Sequence, residues 1–293
     1  MVLCVTLCKF LTFGYTKSHR GDTENHSDTN NIINYYIYQN NILKTRYFIF
    51  ISYKGTSYHG WQIQPNSVTV QKTLDETLSV VLKEKIATIG AGRTDAGVHA
   101  IFFCAHFDSI SPDLLALGNL VFRLNQFLPV DISVNSLKKV VPDANARYSA
   151  ISRTYKYYIS RIKDPFFDNS SWYLHRKIDI TPMNEACRLL FHHSDFTSFS
   201  RLHSGVKSNI CKIYNAGWEE SDNRLIFTIK ADRFLRNMVR AIVGTMVEIG
   251  FGKMDLKEFE EIILAMDRCK AGTSAPAKGL FLTEIEYPQE IFI

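Results

Sequence analysis

From residue 45 onward, β-branched and aromatic runs and amphipathic helical stretches follow one another in irregular order, and this constrains the fold more than any other feature. A regular strand–helix–strand alternation would call for a parallel sheet; its absence points to an α+β fold with a largely antiparallel sheet. The run Thr45 to Tyr53 ends at Lys54-Gly55, which predicts a strand over 46–53 closed by a turn. Val70, Leu74, Leu78, Val81 and Leu82 then recur at helical spacing, with Ser67 or Thr69 placed to cap that helix. A short apolar run over 86–91 leads into a glycine-bracketed segment and an alternating strand through Phe107. Ser111-Pro112 has the form of an N-cap followed by proline and predicts a helix to about Phe127. Strands at 131–141 and 154–161 follow, and Thr181-Pro182 predicts a helix to about His193. Strands at 210–219 and 224–231 flank the turn Ser221-Asp222-Asn223, helices cover 233–249 and 256–267, and a last strand runs over 280–287.

Composition excludes several classes. At 293 residues and 46% hydrophobic, the chain can bury a substantial core, yet no apolar run approaches the roughly 18–20 residues that span a bilayer. Residues 1–44, rich in Asn, Ser, Thr and His after an apolar start, read as a poorly ordered N-terminal extension. Cys4, Cys8, Cys104, Cys187, Cys211 and Cys269 form no CxxC pair and no Cys/His cluster of zinc spacing, so no metal site is expected. Scattered single cysteines suit the reduced thiols of a cytoplasmic protein. A net charge of +5 permits a polyanionic partner such as RNA without requiring one.

The densest chemical signal is Ala91-Gly92-Arg93-Thr94-Asp95-Ala96-Gly97-Val98-His99. Glycines on both sides can aim one short side chain into a cleft, and an Asp two residues from an Arg can serve as a nucleophile. The same residues also fit an ordinary turn in which Asp95 caps a backbone group and Arg93 is solvated. Tyr155, Tyr157 and Ile159 share one strand face, an ordinary core pattern. On the helix predicted at 233–249, a broad apolar face runs from Phe234 to Val247. Arg233, Arg236 and Arg240 fall within about 60° of each other on the other side.

The glycine-bracketed segment resembles the catalytic motif of the tRNA pseudouridine synthase A family. Further resemblances follow in the family's order: Tyr58-His59-Gly60-Trp61-Gln62; Leu124-Asn125 with Leu128-Pro129-Val130-Asp131-Ile132; and Ala146-Arg147-Tyr148-Ser149-Ala150 with Arg153-Thr154-Tyr155-Lys156-Tyr157. Asp195 to Phe199, Phe234 to Arg240, and Ala275-Pro276-Ala277 with Gly279-Leu280 complete the series, which covers about 45–288. Two departures stand out: Ser194-Asp195 where the family often has His-Asp, and Cys211 or Lys212 where it has an arginine. The N-terminal 44 residues have no counterpart.

The resemblance implies an isomerase that turns uridine into pseudouridine at positions 38, 39 and 40 of the tRNA anticodon arm, without cofactor or metal. It implies two mixed subdomains, 45–150 and 151–293, that share the sheet around a basic central cleft, and a homodimer with tRNA lying across both subunits. Asp95 corresponds to the catalytic carboxylate, acting either on the base or at the ribose. Tyr155 corresponds to the tyrosine that stacks on uracil and helps move the C5 proton, and Arg240 to the ion partner that holds Asp95 ionised. Arg93 matches an RNA-contacting arginine beside the nucleophile, Leu280 an apolar residue against the target base, and Arg236, with Arg233, is left to meet phosphates. Arg123, Lys138, Lys139, Arg153, Lys156 and Arg161 are further candidates for backbone contact. Two other classes remain open on the residues: an RNA-binding module without catalysis, and a carboxylate-based nucleosidase or glycosylase.

Overall fold

The computed structural model describes residues 44–111, 113–201 and 208–293. The expected N-terminal extension therefore lies, but for Lys44, outside the described residues. In chain order the elements are β1 (Thr45–Tyr53), α1 (Val70–Leu82), β2 (Ile89–Gly90), β3 (His99–Ser109), α2 (Leu120–Phe127), β4 (Ile132–Lys139), β5 (Ser152–Ser160), β6 (Trp172–Tyr173), α3 (Ile180–Leu189), β7 (Ile213–Ser221), β8 (Arg224–Ala231), α4 (Met238–Gly250), α5 (Leu256–Leu264) and β9 (Leu280–Glu286). The fold is mixed α+β, as the irregular element order predicts. Nine strands form one open sheet with the path β4-β1-β3-β9-β5-β8-β7, β2 adding to β3 and β6 to β5. All pairings are antiparallel except β3 with β9 and β5 with β6.

The parallel join is short: only His99 and Ala100 meet Phe281 and Leu282. It is also where the apolar interior divides. One buried cluster gathers β1, α1, β3, α2 and β4, and a second gathers α3, β7, β8, α4 and α5. Tyr155 on β5 packs against both clusters. A residue at this seam is supported from two sides while its remaining edge faces the gap between them.

Most elements form where the sequence places them, and α1 is capped by Thr69, whose hydroxyl accepts from Lys72 N. Asp222 and Asn223 both take left-handed φ (48° and 61°), the two-residue hairpin conformation that asparagine and aspartate tolerate. Several boundaries differ. The helix expected from Ser111-Pro112 begins only at Leu120. Asp113 Oδ1 instead accepts from the backbone N–H groups of Leu115 and Ala116, and the N–H of buried Leu114 donates to Tyr47 Oη, so local side-chain bonding wins over helix there. The cap of α3 is Asp179, not Thr181. Pro182 thus sits in the first turn, where its missing N–H has no intrahelical acceptor to lose. The helix expected from 233 starts at Met238, because Asn237 takes a left-handed φ of 67°. Arg233 and Arg236 therefore precede the helix, and only Arg240 rides on it. The helix expected over 256–267 ends at Leu264, and its start carries a reciprocal cap between Asp255 and Glu258.

One polar residue on α1 carries a pH signature. Asp75 Oδ1 accepts from the N–H (3.0 Å) and hydroxyl (2.6 Å) of Thr88, and burial pushes its carboxyl up to about 6 despite those bonds. The folded chain then holds a proton between pH about 4 and 6 that the unfolded chain has released, so stability rises as the pH falls through that window. Asp75→Asn keeps the accepting oxygen and removes the titration. We expect the wild type to gain on the order of 1 kcal/mol between pH 7 and pH 5 relative to Asp75→Asn, after screening at a part-exposed group. Urea unfolding at both pH values measures this, and parallel stabilities for the two proteins would contradict it.

Candidate active site

Residues 91–98 form the loop from β2 to β3, and the molecule ties that loop down along its length. Ala91 N donates to Cys104 O (2.8 Å), Trp61 N to Thr94 O (3.2 Å), Gly97 N to Tyr58 O (3.3 Å) and Val98 N to Asp95 O (3.1 Å). The Thr94 hydroxyl shares a 2.8 Å bond with Tyr53 Oη. His99 closes the loop: Nδ1 accepts from Gly55 N at 3.1 Å, which leaves Nε2–H to donate to Lys278 O at 3.2 Å. The Tyr58-His59-Gly60-Trp61 segment is thus the loop's bed, and Tyr58 is fixed in turn by a 2.6 Å hydrogen bond to Asp131. Of the two bracketing glycines only Gly97 needs its residue type for conformation, with φ +78°; Gly92 has open space where a Cβ would stand.

Held in this way, Asp95 faces a cleft of about 340 Å³. Its carboxylate stands between two guanidiniums: Arg240 Nη1 lies 3.4 Å from Oδ2 and Arg236 Nε 3.6 Å from Oδ1. Arg240 is itself oriented by a 2.7 Å bond from Nε to Ala275 O. Arg236 is half exposed and reaches back from the segment before α4. It accordingly meets the carboxylate as well as being available to the cleft, which its helical placement in the sequence does not suggest. Tyr155 and Leu280 line the same cleft, Tyr155 with its ring edge-on to Phe234 (5.1 Å, 88°). Burial pushes the Tyr155 hydroxyl up to about 12, against the opposing pull of Arg153, so it is a neutral phenol at physiological pH. Arg93 is exposed on the loop beside Asp95 and lines the cleft.

The structure thus brings Arg93, Asp95, Tyr155, Arg236 and Leu280 to one cavity, with Arg240 reaching the same carboxylate. Among the described residues, the charged ones lining the cleft are Arg93, Arg147, Arg153, Arg233 and Arg236 against a single acid, Asp95. Arg153, expected among the candidates for RNA backbone contact, lines the cleft and is also engaged within the protein. Its guanidinium donates to Asp232 O (2.8 Å) and Ala91 O (3.1 Å) and to the carbonyls of Arg147 and Ala150. It is a tie between the loops that wall the cleft, and burial lowers its affinity for its proton. The signal was present in the sequence: two residues before Tyr155 on a strand means the same face. Three of the other backbone-contact candidates are also engaged, Lys138 over the Phe292 ring at 4.8 Å, Arg161 in an ion pair with Glu220 and Arg123 in a 3.3 Å bond to Val81 O. Phe234, read as part of a helix's apolar face, is instead the partner of Tyr155.

Among the described residues no group of three or more His, Cys, Asp or Glu side chains converges as a metal site, and no helix is long and apolar enough to cross a membrane. Cys104, Cys187 and Cys211 are buried free thiols and Cys269 is exposed.

Comparison with known proteins extends beyond this loop. Residues 186–288 match the family model described as tRNA pseudouridine synthase. The chain is 54% identical over 248 residues to the tRNA pseudouridine synthase A of Bacteroides fragilis, covering 84% of this chain and 98% of that protein. It is 51% identical over 250 residues to the enzyme of the same name from Parabacteroides distasonis, covering 84% and 98%. Against that of Thermoanaerobacter sp. the identity is 39% over 241 residues, covering 82% and 98%. Similarity at this level over nearly the full length of each relative establishes common descent: the chain belongs to the tRNA pseudouridine synthase A family.

Proposed function

We propose that this isomerase converts uridine to pseudouridine at positions 38, 39 and 40 of the tRNA anticodon arm, with Asp95 as its nucleophile. In the reaction the N1–C1′ bond breaks, the base turns, and C5 joins C1′; the hydrogen on C5 leaves to solvent and N1 gains one. The base returns to its own sugar, so the balance needs no cofactor. The observation that carries the reading is the pairing of Asp95 with Arg240 and Arg236 in a cleft whose other described charged lining residues are arginines. Guanidiniums on both carboxylate oxygens orient Asp95, and the surrounding cations suit an RNA backbone. The target base lies inside a stacked stem, and reaching it requires extrusion into the cleft. In this reading Arg93 occupies the gap that the base leaves, and Leu280 packs against the base.

Tyr155 stacks on the extruded uracil and relays the C5 proton through its neutral hydroxyl, acting as donor and acceptor rather than as a standing phenolate. Tyr155→Phe keeps the ring and removes the relay. We expect kcat to fall about 100-fold with tRNA affinity within about threefold of the wild type. A variant with full kcat would leave Tyr155 with stacking alone. The cleft holds one carboxylate, whereas a glycoside-type hydrolase ordinarily works with two, which favours isomerisation over nucleoside cleavage.

In the same reading the halves 45–150 and 151–293 act as subdomains on either side of a basic cleft, a homodimer carries one tRNA across both subunits, and the enzyme works in the cytoplasm. The test is direct. Unmodified tRNA carrying tritium at C5 of uridine should lose it on incubation with the protein, and carbodiimide-blocked primer extension should then stop at positions 38–40. Release of free uracil, or no tritium release at all, would overturn the reading.

A further inference from the structure

We infer that the turn 145–149 is a second RNA-binding element on the cleft rim, on which Tyr148 stacks a nucleobase flanking the extruded uridine while Arg147 meets the adjoining phosphate. The inference rests on the proposed RNA substrate and adds a subsite to it. Tyr148 lines the cleft that holds Asp95, yet it is 78% exposed. An exposed aromatic ring contributes little to folding, and the backbone that carries this one is held by hydrogen bonds. Asn145 Oδ1 accepts from Arg147 N (2.9 Å) and Tyr148 N (3.2 Å), and Ser149 N donates back to Asn145 O (2.9 Å). Ala146, fully buried, donates its N–H to His106 Nδ1 (3.1 Å) and accepts from Tyr287 Oη through its carbonyl. Arg153 binds the carbonyl of Arg147 from beneath.

The turn is therefore closed by its own Asn145 and anchored from outside by three residues, and what it presents to solvent at the mouth of the cleft is one exposed ring and one guanidinium. The Arg147 guanidinium lies over one face of the ring, 5.5 Å from its centre, which leaves the other face for a base with the cation close by. A rigid exposed ring binds a base face without regard to sequence, and a cation beside it binds the phosphate between bases. Extrusion of the target uridine leaves its neighbours with an unstacked face; the rim ring offers a replacement at the entrance to the site.

The experiment uses the full chain with unmodified tRNA and reads both filter-binding affinity and tritium release. Tyr148→Ala should weaken tRNA binding and raise KM about tenfold or more, with kcat falling less than threefold, while Tyr148→Phe binds as the wild type does. Arg147→Ala should reduce the slope of log affinity against log salt by about one, a slope Tyr148→Ala leaves unchanged. Thermal midpoints of all three should match the wild type, since both side chains are exposed. Wild-type affinity in Tyr148→Ala, or equal loss in the Ala and Phe variants, overturns the stacking subsite. Failure of the wild type to release tritium would instead strike the synthase reading itself, so the two failures are told apart.

Discussion

Asp95→Asn is expected to bind tRNA and release essentially no tritium from C5, with single-turnover rates at least roughly 10,000-fold below the wild type. The substitution keeps the size of the side chain and its approach to Arg236 and Arg240, and it removes the charge and the nucleophilic oxygen. Loss of an enzyme's nucleophile while the binding site stays intact has effects of this order. Affinity for tRNA should hold or tighten, because one negative charge leaves a cleft whose other described charged lining residues are all arginines. The two readouts must separate: rate lost, affinity kept. A variant within tenfold of wild-type turnover would remove Asp95 from the nucleophile's role, and a variant that lost affinity and rate together would show that the carboxylate is structural.

The largest effect on stability should come from Gly244→Ala, four residues beyond Arg240 on α4. A Cβ added at Gly244 on α4 would stand 1.8 Å from Thr273 O and 3.0 Å from Thr273 C, and both are backbone atoms that no rotamer change can move. The loop 273–275 would have to shift away from the helix. That same loop is bonded to Arg240 at both ends of the residue: Ala275 N donates to Arg240 O at 2.9 Å, and Arg240 Nε donates to Ala275 O at 2.7 Å. Overpacking of a fully buried backbone contact costs about 3 kcal/mol or more, equivalent to roughly 6–12 °C in Tm for a chain of this size. Calorimetry should show that loss. At a temperature where the variant is folded, turnover should fall as well, since the loop that moves is the one that aims Arg240 at Asp95. An unchanged Tm would mean that helix and loop are not in contact in solution.

How much of this was legible beforehand differs from element to element. The strand over 46–53, the helix from Val70 and the hairpin at Asp222-Asn223 were readable because each is decided by local periodicity or turn chemistry. The start of α2 was not, because Asp113 and Tyr47 compete for the backbone of 114–116, and Tyr47 is distant in sequence. The start of α4 was not, because the apolar spacing runs on through 234 and 235 although Asn237 breaks the helix. That one misplacement carried Arg236 to a helix face, when the chain before the helix folds it back onto Asp95.

The sequence by itself determined the family, the mixed α+β class, and the motif residues that come together, since those follow from local pattern and from matches in order along the chain. What tertiary structure alone decided was which groups pair: that Arg236 as well as Arg240 flanks the carboxylate, that Arg153 ties loops together, and that Tyr148 is left exposed on the cleft rim beside Arg147. The reason is physical. Whether a charged or aromatic side chain is free depends on which backbone carbonyls and rings arrive beside it from distant parts of the chain, and a one-dimensional pattern holds no record of those arrivals.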